Sequence, residues 1–297
     1  MKKIGICTYC FQPIYGEKGS IDVAHKLGVE YVDFFTNPYY VSNPDSIYSK
    51  TDDEIIEHFS DIRRYAEQYG ISFYQTHGRM RIFLNEPELN RLCLENARRD
   101  LLAARALGAK VCVMHGVTTS TMGVAASPKV MRESSFNTFL KILEWAREYD
   151  VKIASETFGF TDACDHLEFF ADAKEFKDIY DRIVAVEDFS KYFSICVDTG
   201  HSNTAVRYGN PTPADVIRMF GKGVSCLHLH DNDGLHDQHL PLYSGTIDWN
   251  DVFDALDSVG FDGVYNLEVN FKRYGRGFEI EAADFAVKLL RFALSNR

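Results

Sequence analysis

The chain has 297 residues, 45% hydrophobic and 25% charged, a balance that supports a large packed core and excludes a disordered chain. Its formal charge of −11 argues against a broad nucleic-acid footprint, which draws on a basic face. No stretch approaches the ~18 uncharged apolar residues that suggest a membrane span, and Met1-Lys2-Lys3 is followed by too short an apolar piece for a secretion signal. The seven cysteines are odd in number, and Cys112, Cys196 and Cys226 sit inside apolar runs. That pattern reads as buried thiols in a reducing compartment, so a cytoplasmic location is expected. Cys7-x-x-Cys10 lacks the second pair that a zinc knuckle needs.

Residues 3–8 read as a strand, 20–27 as a helix stopped by Gly28, and 30–35 as a second strand ended by Asn37-Pro38. Residues 51–69 form a helix with Thr51 as N-cap, Asp52, Asp53 and Glu54 in its first turn, and Gly70 behind it. A third strand follows at 71–76, a long helix at 87–107 with Gly108 after it, and a fourth strand at 110–114. Residues 116–130 are a loop of small residues, 133–148 a helix and 151–155 the fifth strand. Residues 167–180 mix aromatics with charges and give one helix or two short ones. Strands at 192–197, 223–229 and 263–267 then alternate with helices at 213–220, 249–259 and 279–294.

Short apolar strands are expected where helices cover both faces of a parallel sheet. Eight βα units in a chain of this length fit a single closed (β/α)8 TIM barrel. A doubly wound open sheet would usually carry a Gly-rich turn after its first strand; this chain has Thr8-Tyr9-Cys10-Phe11-Gln12-Pro13 there. No linker divides the sequence, so residues 1–297 are expected to form one domain.

The ionisable residues then fall at strand ends. His77 follows strand three, His115 strand four and Glu156 strand five; Asp198 closes strand six, with His201 three residues on. His228 and His230 end strand seven, with Asp237 and His239 in the loop beyond, and Glu268 closes strand eight. In a strand, His228 and His230 share a face. The carboxyl ends of parallel barrel strands form one rim, where such barrels build their sites, so these donors are expected to converge. Imidazole and carboxylate suit a divalent metal such as Zn²⁺, Mn²⁺ or Mg²⁺. His25 and His58 lie within helices and His166 begins one; all three are expected to be structural, and His236 a solvated loop residue.

The motifs Thr76-His77-Gly78, Met114-His115-Gly116, Ser155-Glu156-Thr157, Val197-Asp198-Thr199-Gly200-His201, Leu227-His228-Leu229-His230-Asp231, Asp237-Gln238-His239 and Leu267-Glu268-Val269 carry a resemblance. Together they resemble the xylose isomerase-like barrels, which include sugar isomerases and epimerases and endonuclease IV. The resemblance to the ketose 3-epimerases of that superfamily implies one divalent metal held by Glu156, Asp198, His228 and Glu268, with Glu156 and Glu268 also moving the substrate proton. The resemblance to endonuclease IV implies further ligands at His77, His115, His201, Asp237 and His239, so one to three ions are expected. The epimerases' substrate-orienting Arg would fall on Gly234, a departure from that branch.

A small carbohydrate is the expected substrate, and a nucleic-acid partner is not expected. The rim loops Val117-Thr118-Thr119-Ser120 and Gly159-Phe160-Thr161-Asp162 are not basic, leaving only Lys272-Arg273-Tyr274-Gly275-Arg276 as a cationic stretch. Lys272, Arg273 and Arg276 follow strand eight, where barrels often bind phosphate, so a sugar phosphate is a candidate beside the plainer reading of a solvated loop. The expected reaction is isomerisation or epimerisation by carboxylate-mediated proton transfer, with endonuclease IV-like phosphodiester cleavage and non-catalytic sugar binding as alternatives. The aromatics Tyr9, Phe11, Phe34, Phe35, Phe160 and Trp249 near strand ends are candidates to line a pocket, several of them core instead.

Overall fold

The computed structural model describes residues 2–161, 165–295 and 297; Asp162 of the rim loop named above lies outside them. Eight strands pair in parallel: β1 (Lys3–Cys7), β2 (Tyr31–Phe35), β3 (Ser72–His77), β4 (Val111–Met114), β5 (Lys152–Glu156), β6 (Phe193–Asp198), β7 (Val224–His228) and β8 (Val264–Leu267). Each lies beside its neighbour in sequence, and β8 returns to β1. A parallel bridge between Leu229 and Leu267 joins β7 to β8, with Leu229 N–H donating to the Asn266 carbonyl at 2.8 Å. The result is a TIM barrel.

The helices between the strands are α1 (Gln12–Lys26), α2 (Asp52–Glu67), α3 (Pro87–Leu107), α4 (Pro128–Tyr149), α5 (Ala173–Val184), α6 (Thr199–Val206), α7 (Pro213–Phe220), α8 (Trp249–Ser258) and α9 (Glu279–Ser295). Helix α2 begins as its sequence dictates: the Thr51 hydroxyl accepts from Glu54 N–H while the Glu54 carboxylate accepts from Thr51 N–H, a reciprocal capping box. Pro13 opens α1 instead of breaking it, because the first helical turn needs no amide donor there. Gly16 at φ 74° kinks α1, so the helix starts well ahead of the expected residue 20.

Three further elements depart from expectation. Helix α6 starts directly on the end of β6, with the Asp198 side chain accepting from His201 N–H at its N-terminus. His166 begins no helix: it pairs with Thr161 in a small antiparallel hairpin of Phe160–Thr161 and His166–Leu167. The loop after β4 holds a helical turn at Thr119–Met122, whose Thr119 N–H donates to the buried carboxylate of Glu168. Among the described residues, no helix is long and apolar enough to cross a membrane.

The main core lies between strands and helices, and includes Ile6, Phe34, Leu101, Phe139, Ile195 and Trp249. A second, small apolar cluster of Val111, Val113, Ala154, Cys196 and Cys226 is buried separately from it. Strand alternation puts that cluster inside the barrel, as a floor.

Candidate metal centre

Two residues along each strand from that floor, side chains point the same way again, and the chemistry changes from apolar to ionisable. Val113 is followed in this layer by His115, Ala154 by Glu156, Cys196 by Asp198 and Cys226 by His228. On the neighbouring strands Gln75 precedes His77 and Asn266 precedes Glu268. Donors scattered over half the chain therefore meet at one rim.

The central group is Glu156, Asp198, His228 and Glu268, all buried, with ligand atoms within 4.8 Å of one another. His228 is its hub. Its Nδ1 lies 3.0 Å from Glu156 Oε1, 3.3 Å from Glu268 Oε2 and 3.9 Å from Asp198 Oδ2. On one side stand His77 and His115, which form a further group with Glu156; His115 Nε2 is 2.9 Å from Glu156 Oε2. On the other side His201, His230, Asp237 and His239 form a third group. There His201 Nε2 lies 3.3 Å and His239 Nε2 3.1 Å from Asp237 Oδ2, and the rings of His230 and His239 stack at 3.8 Å. The groups are linked: His201 Nδ1 is 3.4 Å from Glu156 Oε1, and His230 Nε2 is 2.8 Å from Asp198 Oδ1. Gly200 has a local reason: a Cβ there would sit 2.0 Å from the His230 ring.

Burial and neighbours push the two glutamates apart. Burial raises Glu156, but the imidazoles of His228 and His115 outweigh it and hold the carboxyl well below its ordinary value. Burial pushes Glu268 up to about 8, despite the opposing pull of His228 and His239. Burial opposes charge on His201, yet the carboxylates of Asp198 and Asp237 hold it well above the ordinary imidazole value. Burial and His228 bring His77 down to about 4, so the stacked partner of a charged ring is neutral.

The residues fit a divalent cation. Nδ1 of His77 and Nδ1 of His230 are buried without a hydrogen bond, and Oε2 of Glu156 and Oε2 of Glu268, also buried, have imidazole nitrogens as neighbours at 2.9 Å and 3.3 Å. Buried carboxylate oxygens gathered this way are costly unless a positive charge faces them. The central group of carboxylates and imidazole matches Zn²⁺, Mn²⁺ or Mg²⁺ better than a soft ion; Cys7, grouped with Asp33 and His77, is a thiol that burial pushes well above its ordinary value.

Asp33 on β2 escaped the sequence reading. Its side chain is buried at the base of the centre, where Oδ2 accepts from Gln75 Nε2 at 3.0 Å, Asn266 Nδ2 at 3.2 Å and His228 Nε2 at 3.0 Å. The signal was an acid inside the apolar run Tyr31-Val32-Asp33-Phe34-Phe35. Phe158 was also missed; its ring lies 5.0 Å from that of His115 and 6.0 Å from that of His201. Of the aromatics expected to line a pocket, Phe11, Phe34 and Trp249 are buried core. Tyr9 and Phe35 do flank the centre, against His239 and His77. Phe160 is further out, stacked on Tyr208.

The basic stretch lies in the turn Phe271–Tyr274 and just beyond. Lys272 Nζ donates to the Tyr9 carbonyl at 3.3 Å and Arg273 Nη1 to the Gln238 carbonyl at 2.7 Å, so both brace rim loops; Arg276 is exposed. The control histidines stay apart from the centre. His58 bonds Glu17, His25 packs on Tyr69, and His236 bonds Asp233 in an exposed loop.

Fold and rim together define a (β/α)8 barrel with a buried carboxylate–imidazole centre at the carboxyl ends of its strands. The chain belongs to the xylose isomerase-like TIM barrel family, whose model matches residues 21–291. It is similar to an uncharacterised protein of Methanocaldococcus jannaschii, 28% identical over 192 residues that cover 62% of this chain and 59% of that one. A second uncharacterised relative, from Sinorhizobium fredii, is 29% identical over 182 residues covering 60% of this chain and 52% of that one. The matches therefore span little more than half the length of these relatives. Among solved structures, a D-psicose 3-epimerase with D-tagatose from Clostridium cellulolyticum H10 superposes at TM-score 0.72 with 16% identity, covering 98% of this chain and 99% of that one. The IolI protein with a zinc atom superposes at 0.70 with 15% identity, covering 99% and 97%. At these identities the likeness shows the fold.

Proposed function

We propose that this barrel is a divalent-metal-dependent isomerase or epimerase of a small sugar or sugar phosphate. The observation that carries the reading is the pair Glu156 and Glu268: both belong to one buried donor group, and their carboxyls are displaced in opposite directions. Two carboxyls pushed apart in this way supply one base and one acid near neutral pH. Glu156, Asp198, His228 and Glu268 would hold the cation. A cation bound there supplies Lewis-acid stabilisation of negative charge on a sugar carbonyl oxygen.

The chain's own groups account for the proton. Glu156, ionised, accepts the proton from the carbon next to the carbonyl. Glu268, whose carboxyl takes up a proton more readily than that of Glu156, returns one to that carbon or its neighbour. Such positioned groups contribute about 10² to 10⁴ in rate. The surrounding burial keeps bulk water from competing for the carbanion. The solved neighbours named as sugar epimerases support a carbohydrate substrate. Gly234, where the ketose 3-epimerases would place an Arg, sits in a turn at φ 77° with its N–H on Asn232, so the reading stays at the level of the class.

A second reading rests on the overlap of several donor groups at the rim, two of which share Glu156. A multi-ion centre suits hydrolysis of a phosphodiester, because adjacent ions stabilise both attacking and leaving oxygens. The net charge of −11 weighs against DNA as its substrate.

The test is solvent-deuterium incorporation, followed by proton NMR over a panel of ketoses, aldoses and their phosphates, with nicking of abasic DNA run alongside. The proposal expects exchange of one carbon-bound proton by the native protein. Glu156→Gln should lose it by at least about 10²-fold. Full exchange in that variant contradicts the assignment of the base.

A further inference from the structure

The deepest carboxylate of the centre belongs to none of the roles above. Asp33 lies beneath two imidazoles that stack on each other, His77 and His228, with ring centroids 4.8 Å apart and planes within 5°. Both rings form a group with Glu268, and each also belongs to another: His228 to Glu156–Asp198–His228–Glu268, and His77 to His77–His115–Glu156 and to Cys7–Asp33–His77. Asp33 Oδ2 is 3.0 Å from His228 Nε2 and 4.0 Å from His77 Nδ1. The opposite nitrogen of each ring faces Glu156: His228 Nδ1 at 3.0 Å and His77 Nε2 at 4.0 Å. Gln75 on the neighbouring β3 and Asn266 on β8 donate to the same Oδ2 and hold the carboxylate in place.

We propose that Asp33 is a positioning residue for the cation centre: it keeps the proton of His228 on Nε2, leaves Nδ1 free to ligate, and anchors the stacked pair that joins the two donor groups. The inference rests on the reading of this rim as a cation site. His228 Nδ1 faces Glu156, Glu268 and Asp198 at 3.0, 3.3 and 3.9 Å, the place a cation would take. A neutral imidazole that ligates through Nδ1 has its one N–H on Nε2, where it donates to Asp33 Oδ2. A carboxylate behind a ligating imidazole fixes its tautomer and raises its basicity, and losing one typically costs about 10- to 100-fold in affinity. Asparagine can set its amide oxygen where Oδ2 stands and keep all three bonds as a weaker, uncharged acceptor, whereas alanine removes the acceptor altogether.

The test uses zinc alone on the full chain. Zinc affinity is measured by competition with a chromophoric chelator for the native protein, Asp33→Asn and Asp33→Ala, and the His228 tautomer is read by ¹⁵N NMR in the zinc-loaded native protein. The proposal predicts about a 10- to 100-fold loss in Asp33→Ala and a smaller loss in Asp33→Asn, whose amide oxygen still accepts from His228. A merely structural role predicts a lower melting temperature in Asp33→Ala with the zinc affinity of the folded protein unchanged. The native spectrum should show His228 protonated on Nε2 and ligating through Nδ1; this reading needs no variant and holds if a variant does not fold. Native-like affinity in folded Asp33→Ala, a larger loss in Asp33→Asn, or ligation through Nε2 overturns the role of Asp33 while leaving the cation site standing. A native protein that takes up no zinc overturns the site itself.

Discussion

Glu268 ties the electrostatics of the rim to a measurable proton. Burial holds its carboxyl at about 8 in the ion-free protein, so it is protonated at pH 7. A carboxylate must be deprotonated to ligate, so cation uptake at pH 7 expels that proton. Apparent affinity should therefore rise with pH up to about 8 and then flatten on this group's account. Calorimetric titration with zinc in buffers of different ionisation enthalpy should show net proton release at pH 7; none would contradict it. The sign for stability is opposite. With a folded value of about 8 against an ordinary 4.5, Glu268 favours the ion-free fold below about 4.5, and that contribution is lost as pH rises through about 8. The chelated protein should thus melt at a lower temperature at pH 9 than at pH 6. At the edge of the rim, Lys272 and Arg273 are spent on the carbonyls of Tyr9 and Gln238. Replacing both with Ala should leave the preference between a phosphorylated and a plain sugar unchanged if they only brace loops. A tenfold or larger selective loss on the phosphorylated form would place them at a phosphate.

At the level of elements, alternation along short strands builds the centre. Cys226 and His228 lie on one face of β7, as Cys196 and Asp198 do on β6, so each strand delivers one floor residue and one donor. That is why the strands, and the convergence of donors beyond them, were legible in the sequence: the apolar runs end on ionisable residues. Other features depend on partners that are remote in sequence. Asp33 reads as an odd acid until Gln75, Asn266 and His228 arrive from three other strands. Helix α6 was missed because Thr199-Gly200-His201 looks like a loop, and only the Asp198 cap and the packing of its buried side chains make it helical. Gly200 is needed for close approach, which no pattern reveals. Gly200→Ala should displace the His230 ring, which a Cβ would meet at 2.0 Å, and cost about 1–3 kcal/mol in stability. An unchanged thermal midpoint would show that the ring yields freely.

For the whole molecule, an acidic barrel gathers carboxylates and imidazoles from almost every strand at one mouth. Such a gathering is self-repulsive without compensation, because buried ionised groups lose their hydration. The histidines offset part of this, and a bound cation would offset more. A ligand that binds only the folded state stabilises it by about 2.7 kcal/mol at one hundred times its dissociation constant. The most direct measurement is the number of divalent ions per folded chain, by elemental mass spectrometry after loading with zinc or manganese and removal of free ion. At least one tightly held ion per native chain is expected, and at least one fewer in an Asp198→Ala, His228→Ala double variant that still folds. A folded native chain carrying no ion above background would contradict the account.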